Sequence, residues 1–414
     1  MAHSINHLRH QQPLVLQVRI NNQPISCGVG FEKPTPLWFP HFYRLLLMTQ
    51  RHSWSLWVHK QLTSSVACLL LLLSACQQPA AQSTNSETAQ TSVIQPVYIT
   101  DTVRHDTDDP AIWINAADPT KSLVIGTDKD QDGGLYVFNL QGKIVREIHG
   151  LKRPNNVDIA YGLLLGGQPT DIAVTTERFT HKLRIFALPD MKPVDNGGLD
   201  MFVGDTANGF RDLMGIALYK NPSGVLYAMV GRKTGPTNGS YIGQYRLEDN
   251  GKGQVKATLV RKFGLYSGKK EIESIAVDNE LGYVYYSDEG VGVRKYYADP
   301  EKGNKELALL AKTGFTEDHE GISIYKTGPK TGYLLVSDQG ANQFHIFRRE
   351  GESGNPNDYK VLKVVKVAAQ VSDGSDVTNI PLGKQFPHGL FVTMSEGKTF
   401  HYYRWEDIAG KDLK

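Results

Sequence analysis

Ser122 to Leu140 reads SLVIGTDKDQDGGLYVFNL: a β-branched run that ends in charges, a short turn of Asp and Gly, then a run carrying aromatics. This is the pattern of a strand–turn–strand unit. The unit recurs. Its first half returns as DIAVTTER from Asp171, LYAMVGRK from Leu226, GYVYYSDE from Gly282 and YLLVSDQG from Tyr333. Its second half returns as KLRIFAL from Lys182, YIGQYRL from Tyr241, GVRKYY from Gly292 and QFHIF from Gln343. An inner run precedes each copy: PAIWI from Pro110, NVDIAY from Asn156, GIALY from Gly215, ESIAVD from Glu273 and GISIY from Gly321. A more variable run follows it, such as KIVREI or QVKATLV, and a sixth unit is visible in GLFVTMSEGKTFHYYRW from Gly389. A period of roughly fifty residues with four short strands per repeat predicts an all-β fold, a six-bladed propeller of four-stranded antiparallel sheets, over residues 96–414. The aromatic third runs are expected to pack sheet against sheet.

The chain upstream reads differently. Lys60 to Cys76 is KQLTSSVACLLLLLSAC, a basic flank, an apolar run and small residues before a cysteine, which is a secretory signal too short to span a bilayer. Its ending, Leu73-Ser74-Ala75-Cys76, matches a bacterial lipobox, so residues 48–76 are expected to be a lipoprotein signal with Cys76 lipidated. Simple cleavage near the same point is the alternative. Residues 1–47 precede it as an extension for which a signal has no use, and residues 77–95, rich in Gln, Ser, Thr and Ala, read as a tether. The expected location is the cell envelope, with membrane contact through the lipid alone.

Net charge is +2, from 45 Lys and Arg against 43 Asp and Glu, which argues against nucleic acid as a partner. The three cysteines are Cys27, Cys68 and Cys76, so the repeats contain no thiol for a disulfide, a zinc site or a nucleophile.

In a propeller, what ends the same strand of each blade meets around a central channel. The recurring first halves end in Asp128-Lys129, Glu177-Arg178, Arg232-Lys233, Asp288-Glu289 and Asp338-Gln339. Any one pair could be a solvated loop charge, but five at one repeat position imply a polar cluster on one face. Further acids stand in DTDDPAIW (Asp106, Asp108, Asp109), KEIESIAVD (Glu271, Glu273), FTEDHEGISIY (Glu317, Asp318, Glu320) and DGSD (Asp373, Asp376). Converging carboxylates repel unless cations lie among them. Oxygen donors from many loops suit calcium.

The blocks DDPAIW, NNVDI, GLYVFNLQGK, EGISIY and PHGLFV, in this order, resemble the β-propeller phytases of the calcium-dependent bacterial type, from Asp106 to Trp405. The resemblance implies a six-bladed, monomeric enzyme that uses several Ca²⁺ ions to hydrolyse phytate (myo-inositol hexakisphosphate) or another phosphate monoester. It implies metal ligands at Asp108, Glu273, Glu289, Asp318, Glu320, Gln339 and Asp376, and a buried calcium site at Asp109 and Asn156 with the Pro110 and Val157 carbonyls. Lys129, Arg178, Arg232 and Lys233 fall where the family grips substrate phosphate, with Lys129, Arg178, Glu273 and Glu289 at the reacting centre. The sequence departs from the family pattern at Gln95, Met214 and Thr399, where an acid, a tyrosine and an asparagine are expected, so one calcium site is expected to differ.

The implied chemistry is direct attack by calcium-bound water, with no covalent enzyme intermediate. His319 and His388 lie in loops of interest, and His319, next to the acids of FTEDHEGISIY, is assigned no catalytic part. Two other readings compete: a non-catalytic propeller that uses calcium for stability and binds a ligand or partner protein, and a propeller lactonase with one ion in a less basic channel. The Lys/Arg set favours the phosphatase over both.

Overall fold

The computed structural model describes residues 92–413 and, upstream of them, one pair of short strands, Arg19–Ile20 and Gln23–Pro24. The extension, the signal with Cys76 and the tether up to residue 91 otherwise lie outside the described residues.

The remainder is a six-bladed β-propeller. Each blade is an antiparallel meander with four strand positions, and in blades 1 to 5 the strands follow in chain order. Blade 1 comprises Thr107–Trp113, Leu123–Asp128, Gly133–Phe138 and Ile144–Leu151. The inner strands of blades 2 to 5 are Pro154–Leu165, Leu213–Lys220, Ile275–Asp278 and His319–Lys326. In blade 2 the outer edge is split between Lys192–Pro193 and Leu199–Asp200, both paired with the third strand.

Blade 6 is built from both ends of the domain: Ser375–Val377, Leu390–Ser395 and Thr399–Arg404 are joined on the outside by Tyr98–Ile99. Ile94, assigned to the tether by composition, already bridges Val367 and exchanges backbone hydrogen bonds of 2.9 Å with Lys366 and Ala368. The folded unit therefore begins before Gln95.

Alternation along each strand buries one face against the preceding blade and the other against the next. Among the described residues the core accordingly divides into six apolar clusters, each lying between two neighbouring blades. The third-run aromatics lie in them as expected, Phe138 edge-to-face on Phe400 and Phe344 on Phe391. Hydroxyls pin blade to blade near the channel: Thr176 donates to the Met214 carbonyl, Ser287 to that of Glu320 and Ser337 to that of Ser372.

Candidate active site

The inner strands carry a repeated irregularity. In blade 1 Thr107 pairs with Asp128 but Pro110 with Gly126, so Asp108 and Asp109 together oppose a single residue. The same slip occurs at Pro154/Val157, Leu213/Ile216 and His319/Ile322. A β-bulge of this kind re-aims side chains. Its first residue is Asp108, Asn155, Met214 or Glu320; Glu273 and Asp373 occupy the equivalent place just ahead of the inner strands of blades 4 and 6. Asn155 of blade 2 donates through Nδ2 to Asp108 Oδ2 at 3.0 Å and to Glu273 Oε1 of blade 4 at 2.9 Å. Blades 2 and 4 are not neighbours, so this bond crosses the channel.

The charged pairs at the ends of the second strands divide between two environments, because consecutive strand residues face opposite ways. The first member turns back into its own blade. Asp128 accepts from the backbone N–H groups of His105 and Asp106, Asp288 from Ser267 and Arg294, Asp338 from Thr316 and Gln343.

Arg232 is a first member, and this corrects its assignment to phosphate. It is 0% exposed, donates to Asp205 and to the carbonyls of Phe210, Ser240 and Tyr241, and lies 4.0 Å over the Phe202 ring. Its donors are spent on holding the loop at Asp205.

The second member enters the channel. Lys129 Nζ lies 2.5 Å from Asp108 Oδ1 and 2.9 Å from Asp373 Oδ2, while Gln339 Nε2 donates to Asp373 Oδ1 at 2.5 Å. Lys233 pairs with Glu271 at the more open rim. Arg178 is buried against Met214 Sδ and the Leu213 carbonyl, and burial draws its pKa down.

Glu289 converges with Glu273 and Glu320, one carboxylate oxygen of each lying within 4.8 Å of the others. Burial, then Asp108, pushes the Glu273 carboxyl well up; burial, then Glu273, does the same to Glu320. Burial, then Glu271, pushes Glu289 up to about 7. Glu289 Oε1 and Glu320 Oε2 are buried without a hydrogen-bond partner.

The phytase family model matches residues 59–407. The chain belongs to that family. A 3-phytase of Bacillus subtilis (strain 168) is 31% identical over 377 residues, covering 85% of this chain and 93% of that protein. A solved structure, the Dos1 propeller, matches over 72% of this chain and 67% of its own at 13% identity and a TM-score of 0.39, too remote to bear on function.

The phytase family implies a metal, and the residues fit one. Three carboxylates aimed at one point, two of their oxygens unpartnered and their protons held by burial, form a donor set for a hard divalent cation. Asp109 and Asn156 lie at the junction of blades 1, 2 and 6. Asp109 Oδ2 accepts the Val157 N–H at 3.0 Å, the Asn156 Oδ1 is buried without a partner, and Gly374 packs so closely on Asp109 that a Cβ there would collide with it.

Asp376 stands apart from the Glu273–Glu289–Glu320 cluster. It accepts the N–H groups of Ile112 (2.8 Å) and Val377 (2.7 Å) and is pushed up to about 6 by burial. From its loop the acid that reaches the channel network is Asp373. Asp318 is held by Lys270, whose Nζ lies 2.7 Å from both of its carboxylate oxygens.

Sequence reading missed Asn155 as a site residue, named Asp373 among the acids of DGSD without making it a ligand, and missed Lys270. The signal for the first two was their repeat position: aligning the inner runs places both in register with Asp108, Glu273 and Glu320.

Proposed function

We propose that the protein hydrolyses phosphate monoesters, with phytate as substrate, through direct displacement by water in a calcium-dependent channel. One observation carries this reading: the acidic cluster of Glu273, Glu289 and Glu320 is joined through Asn155 and Asp108 to a lysine, Lys129, so that anion-gripping and cation-holding groups share one site. Family membership and the 31% identical 3-phytase support it.

Calcium held at Glu273, Glu289, Glu320, Asp108 and Asp318 would supply charge neutralisation at the phosphoryl oxygens and acidify water. Lys129 and Arg178 hold non-reacting oxygens of the phosphoryl group, and Lys233 at the rim takes a further phosphate of a polyphosphorylated ring. Asn155 fixes the orientation of Asp108 and Glu273, and Gln339 that of Asp373. Glu289, whose Oε1 has no hydrogen-bond partner, receives the proton of the attacking water as the new P–O bond forms and returns it to the leaving alkoxide as the ester P–O bond breaks. The signal and Cys76 would tether this enzyme to the cell envelope.

The test is phosphate release from phytate by the purified protein, with calcium and then with chelator, beside the double variant Asp318→Ala, Glu320→Ala. Calcium-dependent release that the double variant loses supports the reading. A folded, calcium-stabilised protein inert toward phytate and simple phosphate esters overturns it in favour of a binding propeller.

A further inference from the structure

Lys270 lies in the loop SGKKEIES, between the outer strand of blade 3 (Val255–Phe263) and the inner strand of blade 4 (Ile275–Asp278). Its ammonium is 2.7 Å from Asp318 Oδ1 and 2.7 Å from Oδ2, so both oxygens of that carboxylate are engaged by one cation. A divalent ion at Asp318 needs the same lone pairs. The two positive charges compete for them.

The contrast with Lys129 is informative. Lys129 is 14% exposed and held between two carboxylates, Asp373 and the buried Asp108, so leaving costs it two partners at once. Lys270 is 54% exposed on a flexible four-carbon stem, and an exposed ion pair of this kind is weak enough to exchange. Glu289 and Glu317 are near enough to raise its pKa further after Asp318, which holds the ammonium at the edge of the acidic cluster. Lys233, paired with Glu271, places a second solvent-facing lysine beside the same loop.

We propose that Lys270 is a built-in competitor for the cation at Asp318, displaced when the ion binds and then free to meet substrate phosphate at the channel mouth. This rests on the reading of the acidic cluster as a cation site. Linkage makes the exchange reciprocal: phosphate that draws Lys270 off Asp318 raises the affinity for the ion by the factor by which the ion raises affinity for phosphate.

The experiment is calorimetric titration of calcium into the metal-stripped, purified protein and its Lys270→Met, Lys270→Gln and Lys270→Arg variants, with and without inorganic phosphate. Removing the competitor is expected to tighten calcium binding about two- to fivefold in Lys270→Met and Lys270→Gln, with Lys270→Arg close to native. Phosphate is expected to tighten calcium binding more in the native protein than in Lys270→Met. Equal or weaker calcium affinity in both neutral variants, beside a native protein that binds, overturns the competitor. An equal phosphate effect in native and Lys270→Met proteins overturns the transfer to phosphate. A native protein giving no calcium heat overturns the cation site itself, and with it this inference.

Discussion

Asp128 and Lys129 are consecutive residues with opposite duties: the Asp128 carboxylate accepts two backbone N–H groups of its own blade, at 2.9 and 2.8 Å, while Lys129 enters the channel and pairs with Asp373 of the neighbouring blade 6. One strand end thus carries a structural group and a site group side by side, and substitution should separate them.

Asp128→Ala should cost about 2–3 kcal/mol of stability, because it leaves the His105 and Asp106 N–H groups without their charged acceptor. Calcium affinity should change little. Lys129→Met should cost about 3–5 kcal/mol in calcium-free protein by stranding Asp108 and Asp373, and should lower phosphate release about 100-fold. Urea unfolding and phytate assays on the two variants check this pair of outcomes.

Glu320→Gln should move stability and function in opposite directions. Burial, then Glu273, disfavours the charge on Glu320, so the neutral amide should raise the melting temperature of calcium-free protein. The same change removes an oxygen with negative charge from the cluster, so the rise in melting temperature on adding calcium should shrink and phosphate release should fall. Calorimetric melting with and without calcium reads both. A drop in calcium-free stability would mean that the three acids do not repel one another.

The pH dependence has a definite sign. Burial raises Glu289 to about 7 from 4.5, and raises Asp158 to about 7 and Asp376 to about 6 from 3.8. Between those ordinary values and the raised ones the folded chain holds protons that the unfolded chain has lost, so stability falls as pH rises through that window. In chelator the melting temperature should decline from about pH 4 through about pH 7; saturating calcium should flatten the decline by favouring the ionised carboxylates. A rise with pH in chelator would show that the acids are compensated in the folded protein.

Cys76→Ala should shift the protein from the membrane fraction to the soluble fraction of cells that process lipoproteins, and should abolish incorporation of a labelled fatty acid. Labelling that persists in the variant would place the anchor elsewhere.

Much of this molecule can be read from its residues. Six copies of one strand pattern, without a cysteine after Cys76, determine a propeller whose core must hold without disulfides, and recurrence of charge at the ends of the second strands locates the functional face. Which residue of each pair serves that face is a different matter. Alternation with period two says that Arg232 and Lys233 diverge, but the absolute phase depends on the bulge register and on the Asp205 loop that captures Arg232. Asp376 and Asp373 are equally plausible ligands as sequence; the Ile112 and Val377 N–H groups claim the former, and Lys129 and Gln339 draw the latter into the channel. The bond from Asn155 to Glu273 joins blades separated by more than one hundred residues of chain, at a separation of 118. Local propensity sets the strands, but only closure of the ring decides which polar groups are forced together across its centre, since that proximity follows from the packing of all six blades.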